Sequence, residues 1–173
     1  TVGIGGTLTI AGAGSGSYFG VITGAGSVVR SGSGIQTLNN SNRYTGGTTI
    51  SRGRDIGGGW YQAGLLVNGG NPTASTFRTP LGSGQVDVYG HLRFASANGG
   101  LVNSLGDNYT SIVMHTGSRI TFDNRTAFVN AAGEGRYDNE ASLTLNGSHL
   151  QIRGTNNVNT ATTNREDIGE LII

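Results

Sequence analysis

Three histidines, His91, His115 and His149, are the side chains of this sequence best suited to hold a metal ion or to transfer protons. They stand far apart in the chain, so none belongs to an H-E-x-x-H motif or another short ligand spacing. Cysteine is absent, which removes thiolate nucleophiles, thiolate metal ligands and disulfides. We therefore expect neither a metal site nor any other cofactor.

Carboxylates are the other groups that could do chemistry, as acid and base pairs or as calcium ligands. The densest acidic stretch is interleaved with arginines and consists of Asp123, Arg125, Glu134, Arg136, Asp138 and Glu140. Mixed charges in a loop more often keep it solvated, and Asp87 faces outward on a strand without an acidic neighbour. No serine stands in a G-x-S-x-G motif. We expect that this chain is not an enzyme.

A loop at residues 52–62 is the feature that most suggests recognition. Trp60 and Tyr61 follow glycines there, and Arg52 and Arg54 precede them. Exposed aromatic side chains beside arginine suit contact with a sugar or a protein. The alternative is that Trp60, the sole tryptophan, covers one side of the core. The candidate binding residues are Arg52, Arg54, Trp60 and Tyr61.

Composition limits the elements that can position these residues. Glycine accounts for 32 of 173 residues, and each glycine in a helix interior costs about 1 kcal/mol, which argues against a helical fold. The apolar fraction of 35% suits one lean core. Charged residues make up 12% and the net charge is +1, so no nucleic-acid partner is expected, and no apolar run approaches the roughly 18 residues that span a bilayer.

Three stretches repeat the pattern strand, glycine corner, strand, at residues 86–94, 112–122 and 143–152. Their second strands superpose with offsets of 28 and 30 residues, as Leu92 and Phe94, Ile120 and Phe122, and Leu150 and Ile152. Apolar and polar residues alternate along them, which indicates one buried and one wet face. On the wet face this alignment places His91, Arg119 and His149 in one column, which we expect to be solvated.

Repeats of roughly 20 to 30 residues with short strands and glycine corners are typical of a β-solenoid. Because each strand would pair with its equivalent in the next repeat, like side chains would form inner columns. We therefore predict an all-β fold, a right-handed parallel β-helix with a single stack of coils. A further coil is predicted to begin at residues 168–173.

Residues 19–30, 32–38 and 42–50 carry a more specific pattern, which ends in Tyr44-Thr45-Gly46-Gly47-Thr48-Thr49-Ile50. This pattern resembles the autotransporter-associated β-strand repeat, and residues 81–88 resemble the segment that follows it in that family. We expect Gly46 and Gly47 to form a corner with positive φ, Ile50 to point inward, and Tyr44 to brace the corner from outside the strand ladder.

The resemblance implies a passenger segment that is exported across an outer membrane and found at the bacterial surface or secreted. Residues 1–173 are then expected to be one β-helix segment of a longer passenger, serving as a stalk or display element. The alternative is an adhesin module that contacts a host protein or glycan through its loops, and a polysaccharide-active enzyme is the third reading. Expected partners are the neighbouring coils, with a host protein, a glycan or self-association into fibres as further candidates, and no direct insertion of this segment into a membrane.

Overall fold

A computed structural model describes residues 1–52, 64–67, 77–78, 80–95, 102–103, 111–123, 137, 141–154 and 170–173. Short β-strands organise these residues, and no helix occurs among them. The strands are β1 (Thr7–Ile10), β2 (Gly16–Tyr18), β3 (Thr23–Gly24), β4 (Ser27–Arg30), β5 (Ile35–Leu38), β6 (Arg43–Tyr44), β7 (Thr48–Ile50), β8 (Gly64–Val67), β9 (Phe77–Arg78), β10 (Val86–Val88), β11 (His91–Phe94), β12 (Val102–Asn103), β13 (Ile112–Met114), β14 (Arg119–Asp123), β15 (Ser142–Leu145), β16 (His149–Arg153) and β17 (Glu170–Ile172).

Two parallel sheets contain most of these strands. The larger has seven strands in the order β1-β4-β7-β10-β13-β15-β17, and the other has six, β2-β5-β8-β11-β14-β16. In both sheets the spatial order follows the chain order, because the chain passes from one sheet to the other and returns beside the strand it left. The all-β prediction with parallel pairing of successive repeats is confirmed.

The predicted register of the second strands is also confirmed. Leu92 pairs with Ile120 and Phe94 pairs with Phe122, and the next strand continues both columns with Leu150 and Ile152. The rings of Phe94 and Phe122 stack with their centroids 5.4 Å apart and their planes 10° from parallel. Each pass of the chain through both main sheets forms one rung of the stack. In the first rungs the repeat is shorter, and pairs such as Thr7 and Ser27 lie 20 residues apart.

The larger of two buried clusters lies between the two main sheets. Inward residues of the six-stranded sheet, such as Leu92 and Phe122, belong to the same buried cluster as Val88 and Met114 of the seven-stranded sheet. Ile152 continues the predicted inner column beside Phe122 but is 48% exposed. Ile152 lies on β16, the last described strand of its sheet, so no further described strand packs on it.

Gly46 and Gly47 do not form the predicted corner with positive φ, because neither has a φ in that range. Close backbone approach is the actual reason for a glycine at Gly46, where a Cβ would lie 2.4 Å from the carbonyl oxygen of Gly26. The same contact recurs up the stack, with 2.5 Å between a Cβ on Gly26 and the Gly6 oxygen. Positive φ occurs at other corners, for example at Gly32 and Gly82.

Tyr44 does not brace the corner from outside, as the sequence suggested, but is fully buried beside Ile22 and Val28 in a second cluster. Its hydroxyl hydrogen-bonds to the hydroxyl of Thr48, which donates in turn to the carbonyl oxygen of Leu81 at 2.9 Å. Burial raises the pKa of Tyr44 well above its usual range. Ile50 points inward and is fully buried, as predicted.

Two small sheets complete the described fold. Strands β3 and β6 pair in parallel beside the first rungs, which gives those rungs three strands each. Strands β9 and β12 pair antiparallel, a feature that the sequence did not predict. Both of these strands come from the connections between the main sheets, after β8 and after β11.

Candidate binding surfaces

A cluster of polar and aromatic side chains lies on the outer face of the seven-stranded sheet. Strand alternation turns Val88 and Met114 inward, so Asp87, Tyr89 and His115 face outward. His115 Nε2 lies 2.9 Å from Asp87 Oδ1, and the rings of Tyr89 and His115 stack with centroids 4.0 Å apart. Cross-strand contacts of this kind form because β10 and β13 are adjacent.

The carboxylate of Asp87 has a second neighbour in this cluster. Gln85 Nε2 donates to both of its oxygens, at 3.2 and 3.0 Å. Asp87 and His115 remain about 30% exposed and Tyr89 is 38% exposed, so solvent and ligands can reach all three. Ring faces, a carboxylate and an amide are groups that contact sugars and polar peptides.

Of the predicted loop residues, the structure describes Arg52, which is exposed. Its Nη2 donates to the carbonyl oxygen of Thr116 at 2.6 Å, directly after His115. The residue that opens the predicted loop therefore contacts the corner that carries the Tyr89–His115 stack. Arg54, Trp60 and Tyr61 lie outside the described residues.

The cluster of Asp87, Tyr89 and His115 was missed by the sequence reasoning. Its signal is present, because Val86 and Ile112 occupy equivalent places in two repeats and the same 26-residue offset pairs Tyr89 with His115. The repeat alignment in the sequence analysis superposes the second strands and does not cover the outward residues of the first.

A second polar surface lies on the outer face of the six-stranded sheet. His91, Arg119 and His149 lie in register in one column, as predicted. The expectation that this column is solvated holds for His149, which is exposed, while His91 and Arg119 are partly buried. His91 Nε2 lies 3.0 Å from the Thr121 hydroxyl, which donates to Gln151 at 3.3 Å.

The second surface differs from the first in the positive charges that surround its histidine, His91. Burial, together with the positive charges of Arg119, Arg93 and Arg153, lowers the pKa of His91 to about 4. Arg93 Nη2 donates to Asp123 at 2.5 Å, and the Asp123 side chain is only 4% exposed. The other acids of the predicted acidic stretch, Glu134, Asp138 and Glu140, lie outside the described residues.

The residues that the structure describes contain no group of three or more His, Asp or Glu side chains placed to hold a metal ion. They also contain no helix with the length and apolar character needed to cross a membrane.

Comparison with known proteins gives one match. Residues 28–54 match the family model of the passenger-associated transport repeat. The match overlaps the pattern that the sequence analysis singled out, and it leaves residues 19–27 and 81–88 outside. Residues 28–54 thus carry an autotransporter passenger-type repeat. Neither the curated proteins nor the solved structures gave a match.

Proposed function

We propose that this chain is a segment of a right-handed parallel β-helix in the passenger of an autotransporter, and that it extends or displays other parts of that passenger at the bacterial surface. The observation that carries the proposal is the in-register stacking of successive strands in two parallel sheets around one core. The passenger-type repeat at residues 28–54 supports the autotransporter context.

A stack of this kind suits a spacer for a physical reason. Neighbouring strands lie about 4.8 Å apart, so a sheet of seven strands spans roughly 30 Å along the stack. Each added rung lengthens the stack by the same amount and requires contacts only with its neighbours. The length of such a stack can therefore change while the packing within each rung stays the same.

Epitope display on living cells tests this function. A short tag inserted between the exposed residues Gly14 and Ser15 of the full-length protein should bind antibody on intact cells of the bacterium that produces the protein. External protease should remove the signal, and a tagged cytoplasmic protein is the control for leakage. Labelling only after permeabilisation would rule the display role out. The handedness is tested separately, because an experimental density map with left-handed connections between the sheets would contradict a right-handed β-helix.

The proposal assigns no catalysis to this segment. The purified chain is expected to leave the chain length of every polymer in a panel of polysaccharides unchanged after incubation. Release of shorter oligosaccharides by the wild-type chain would contradict this part of the proposal and favour the polysaccharide-active reading.

The second candidate function is an adhesin module that contacts a host protein or glycan at the surface where the predicted loop begins. The contact of Arg52 with Thr116 favours it, because this contact holds the start of the loop beside the exposed Tyr89–His115 stack. Trp60→Ala should then reduce binding to host cells, whereas Phe19→Ala, a matched change at a side chain that is 71% exposed elsewhere, should not. Equal adhesion by both variants would remove this candidate.

A further inference from the structure

The outer face of the seven-stranded sheet is accessible to solvent on each of its inner strands, β4, β7, β10, β13 and β15. The outward residue at the centre of each of these strands is partly exposed: Val29, Thr49, Asp87, Val113 and Thr144. The six-stranded sheet differs, because Thr121 and Asp123 on its outer face are buried. A ligand from solution can therefore reach the outward side chains of the seven-stranded sheet.

One step interrupts this face, at the point where short side chains are followed by an aromatic ring. Backbone hydrogen bonds between successive strands place Ser31, Ser51, Tyr89 and His115 in one column, in that order along the stack. The rings of Tyr89 and His115 have parallel planes and centroids 4.0 Å apart, so they lie face to face. The other face of the Tyr89 ring therefore points toward Ser51, whose side chain is too short to cover it.

The exposure of these residues agrees with this geometry. Tyr89 is 38% exposed although His115 covers one side of its ring, and Ser31 and Ser51 are both partly exposed. We call this place the Tyr89 step: the ring face of Tyr89 forms its wall, and Ser31 and Ser51 form its base. The wall is rigid, because stacking on His115 restricts rotation of the ring.

A fixed hydrogen-bond acceptor lies beside the Tyr89 step. Asp87 precedes Tyr89 by two residues, so both side chains point outward, about 7 Å apart along the strand. The Asp87 carboxylate is positioned by His115 Nε2 at 2.9 Å and by Gln85 Nε2 at 3.0 and 3.2 Å. Each carboxylate oxygen accepts more than one hydrogen bond, and the Asp87 side chain remains 31% exposed. An aromatic ring face and a positioned carboxylate thus stand side by side.

We propose that the Tyr89 step binds a neutral glycan, with one hexose ring stacked on the free face of Tyr89 and a sugar hydroxyl donating to Asp87. The face of an aromatic ring carries partial negative charge, which attracts the weakly positive C–H groups on one side of a hexose. The Ser51 hydroxyl, at the base of the step, can donate to or accept from another sugar hydroxyl. The site deepens the second candidate function, on which its role at the bacterial surface rests.

A neutral sugar fits this site better than a charged ligand or a protein does. The guanidinium of Arg52 donates to the carbonyl oxygen of Thr116, directly after His115, so a cationic ligand would meet a positive charge there. An anionic ligand would meet the carboxylate of Asp87. A stable protein interface buries about 800 Å² on each partner, far more than one exposed ring and its polar neighbours supply.

Titration of the purified chain, followed by NMR chemical shifts, tests the site with four neutral sugars: cellotriose, maltotriose, lactose and the trimer of N-acetylglucosamine. A single stacked hexose should bind with a Kd on the order of 1 mM, so at least one of these sugars should bind in that range. Tyr89→Ala should weaken its binding about ten-fold, because the stacking contact is lost. Tyr89→Phe keeps the ring face and should stay within about three-fold of the parent.

The matched control is Tyr18→Ala, which removes a tyrosine that is 45% exposed on β2, in the other main sheet. Its affinity should stay within about two-fold of the parent. A second variant, Ser51→Leu, places an aliphatic side chain against the free ring face and should block the sugar. It should also fold, because a cross-strand aliphatic–aromatic pair stabilises a sheet. Ser51→Leu therefore decides the question if Tyr89→Ala does not fold, which circular dichroism and a thermal melt establish.

Four results would overturn the proposal: no binding of any of the four sugars, equal losses in Tyr18→Ala and Tyr89→Ala, unchanged binding by Ser51→Leu, or tighter binding of heparin than of every neutral sugar. None of them would affect the display function, because labelling of a tag on cells does not involve the Tyr89 step. Failed labelling, in turn, would leave sugar binding by the purified chain unchanged, so the two failures can be told apart.

Discussion

His91 shows how the fold changes the chemistry of a single residue. An imidazole in water takes up a proton near pH 6.5, but this one is mostly buried and faces the guanidinium groups of Arg119, Arg93 and Arg153. Burial and these charges lower its pKa to about 4. The nearby carboxylate of Asp123 pairs with Arg93 and does not reverse the effect. His91 is therefore neutral in the folded protein at pH 5 to 7.

A pH-dependent stability follows from this shift. Below about pH 6.5 the unfolded chain protonates His91 while the folded chain does not, so the free energy of unfolding falls as the pH falls toward 4, by up to about 3 kcal/mol. In the parent, His91 should make the free energy of unfolding, measured by urea denaturation, about 2 kcal/mol lower at pH 4.5 than at pH 7. His91→Gln should abolish this part of the pH dependence. His149→Gln, in the exposed part of the same column, is the matched control. A variant at His91 with the parent's pH dependence would contradict the assignment.

Arg30 is a second residue whose role the sequence does not reveal. It is paired with Ile10 and Ile50 in an inner column and is fully buried. Its guanidinium donates to the carbonyl oxygens of Ile10, Ser33 and Gly34 at 3.1, 2.9 and 2.8 Å. The side chain therefore links two successive rungs and the glycine-rich corner that follows it.

Loss of this link should destabilise the fold. Arg30→Ala removes three hydrogen bonds and creates a cavity, although the carbonyl oxygens of Ile10 and Gly34 keep the backbone N–H donors of Ser31 and Gly64. We therefore expect a loss of about 3 kcal/mol in the free energy of unfolding. The control Arg43→Ala, at an exposed position, should change it by less than about 0.5 kcal/mol. Chemical denaturation of both variants checks this, and equal stabilities would show that the three hydrogen bonds contribute little.

At the scale of single elements, glycine sets how closely the rungs approach. Gly6, Gly26, Gly46 and Gly84 lie above one another, and a Cβ on each of the last three would fall 2.4 to 2.6 Å from an oxygen of the rung before it. Real Cβ atoms do not approach backbone oxygens this closely, so the corner would have to move. This column holds the starts of β1, β4, β7 and β10 at the spacing that their hydrogen bonds require.

Substitution at one of these glycines tests the column. Gly46→Ala should lower the free energy of unfolding by about 2 to 3 kcal/mol, because the neighbouring backbone must shift to admit the methyl group. Gly14→Ala is the control, since a Cβ there meets nothing within 4 Å and its φ is not positive. The control should leave stability unchanged or slightly raised, because alanine restricts the unfolded chain. Equal melting temperatures for the two variants would contradict the close-packing explanation.

The sequence predicted some strands correctly and others only in part, for identifiable reasons. The columns of Leu92 and Phe94 could be predicted because strand alternation, the glycine corner and the repeat length all agree there. The 20-residue period of the first rungs is visible in Gly6, Gly26 and Gly46, but of these the sequence analysis considers only Gly46, as a corner with positive φ and not as a point of close approach. The burial of Tyr44 depends on β3 and β6, which are too short to predict from their sequence.

The candidate sites could be predicted less well than the strands. Arg52 was chosen for its type and its neighbours in sequence, and the structure adds a contact with Thr116, 64 residues further along the chain. No pattern within one repeat encodes that contact, or the pairing of Arg93 with Asp123. Such sites depend on which residues two or three rungs bring together, so they require the register of the whole stack.

The whole molecule is a series of rungs in which each packs mainly on its two neighbours. In such an array, stability is approximately a sum of terms for each rung and each interface. A buried amide shows how local the links are: Asn42 accepts from the backbone N–H of Ile22 at 2.8 Å and donates to the carbonyl oxygen of Pro80 at 2.6 Å. These two bonds join the rungs directly before and after it.

Removal of one whole repeat tests this description of the molecule. Deletion of residues 27–46 joins Gly26 to Gly47, which occupies the register position of Ser27. The remaining strands of the two main sheets therefore keep their faces and find equivalent neighbours, while β3 loses its partner β6. The shortened chain should still unfold cooperatively, with a β-sheet circular dichroism spectrum and a modestly lower melting temperature. Deletion of residues 27–36, half a repeat, is the control, and it should abolish cooperative unfolding because residues 45–48, with Gly46 and Gly47, would then take the places of β5. If the two deletions behaved alike, the rungs would not be the independent, additive units on which the stack depends.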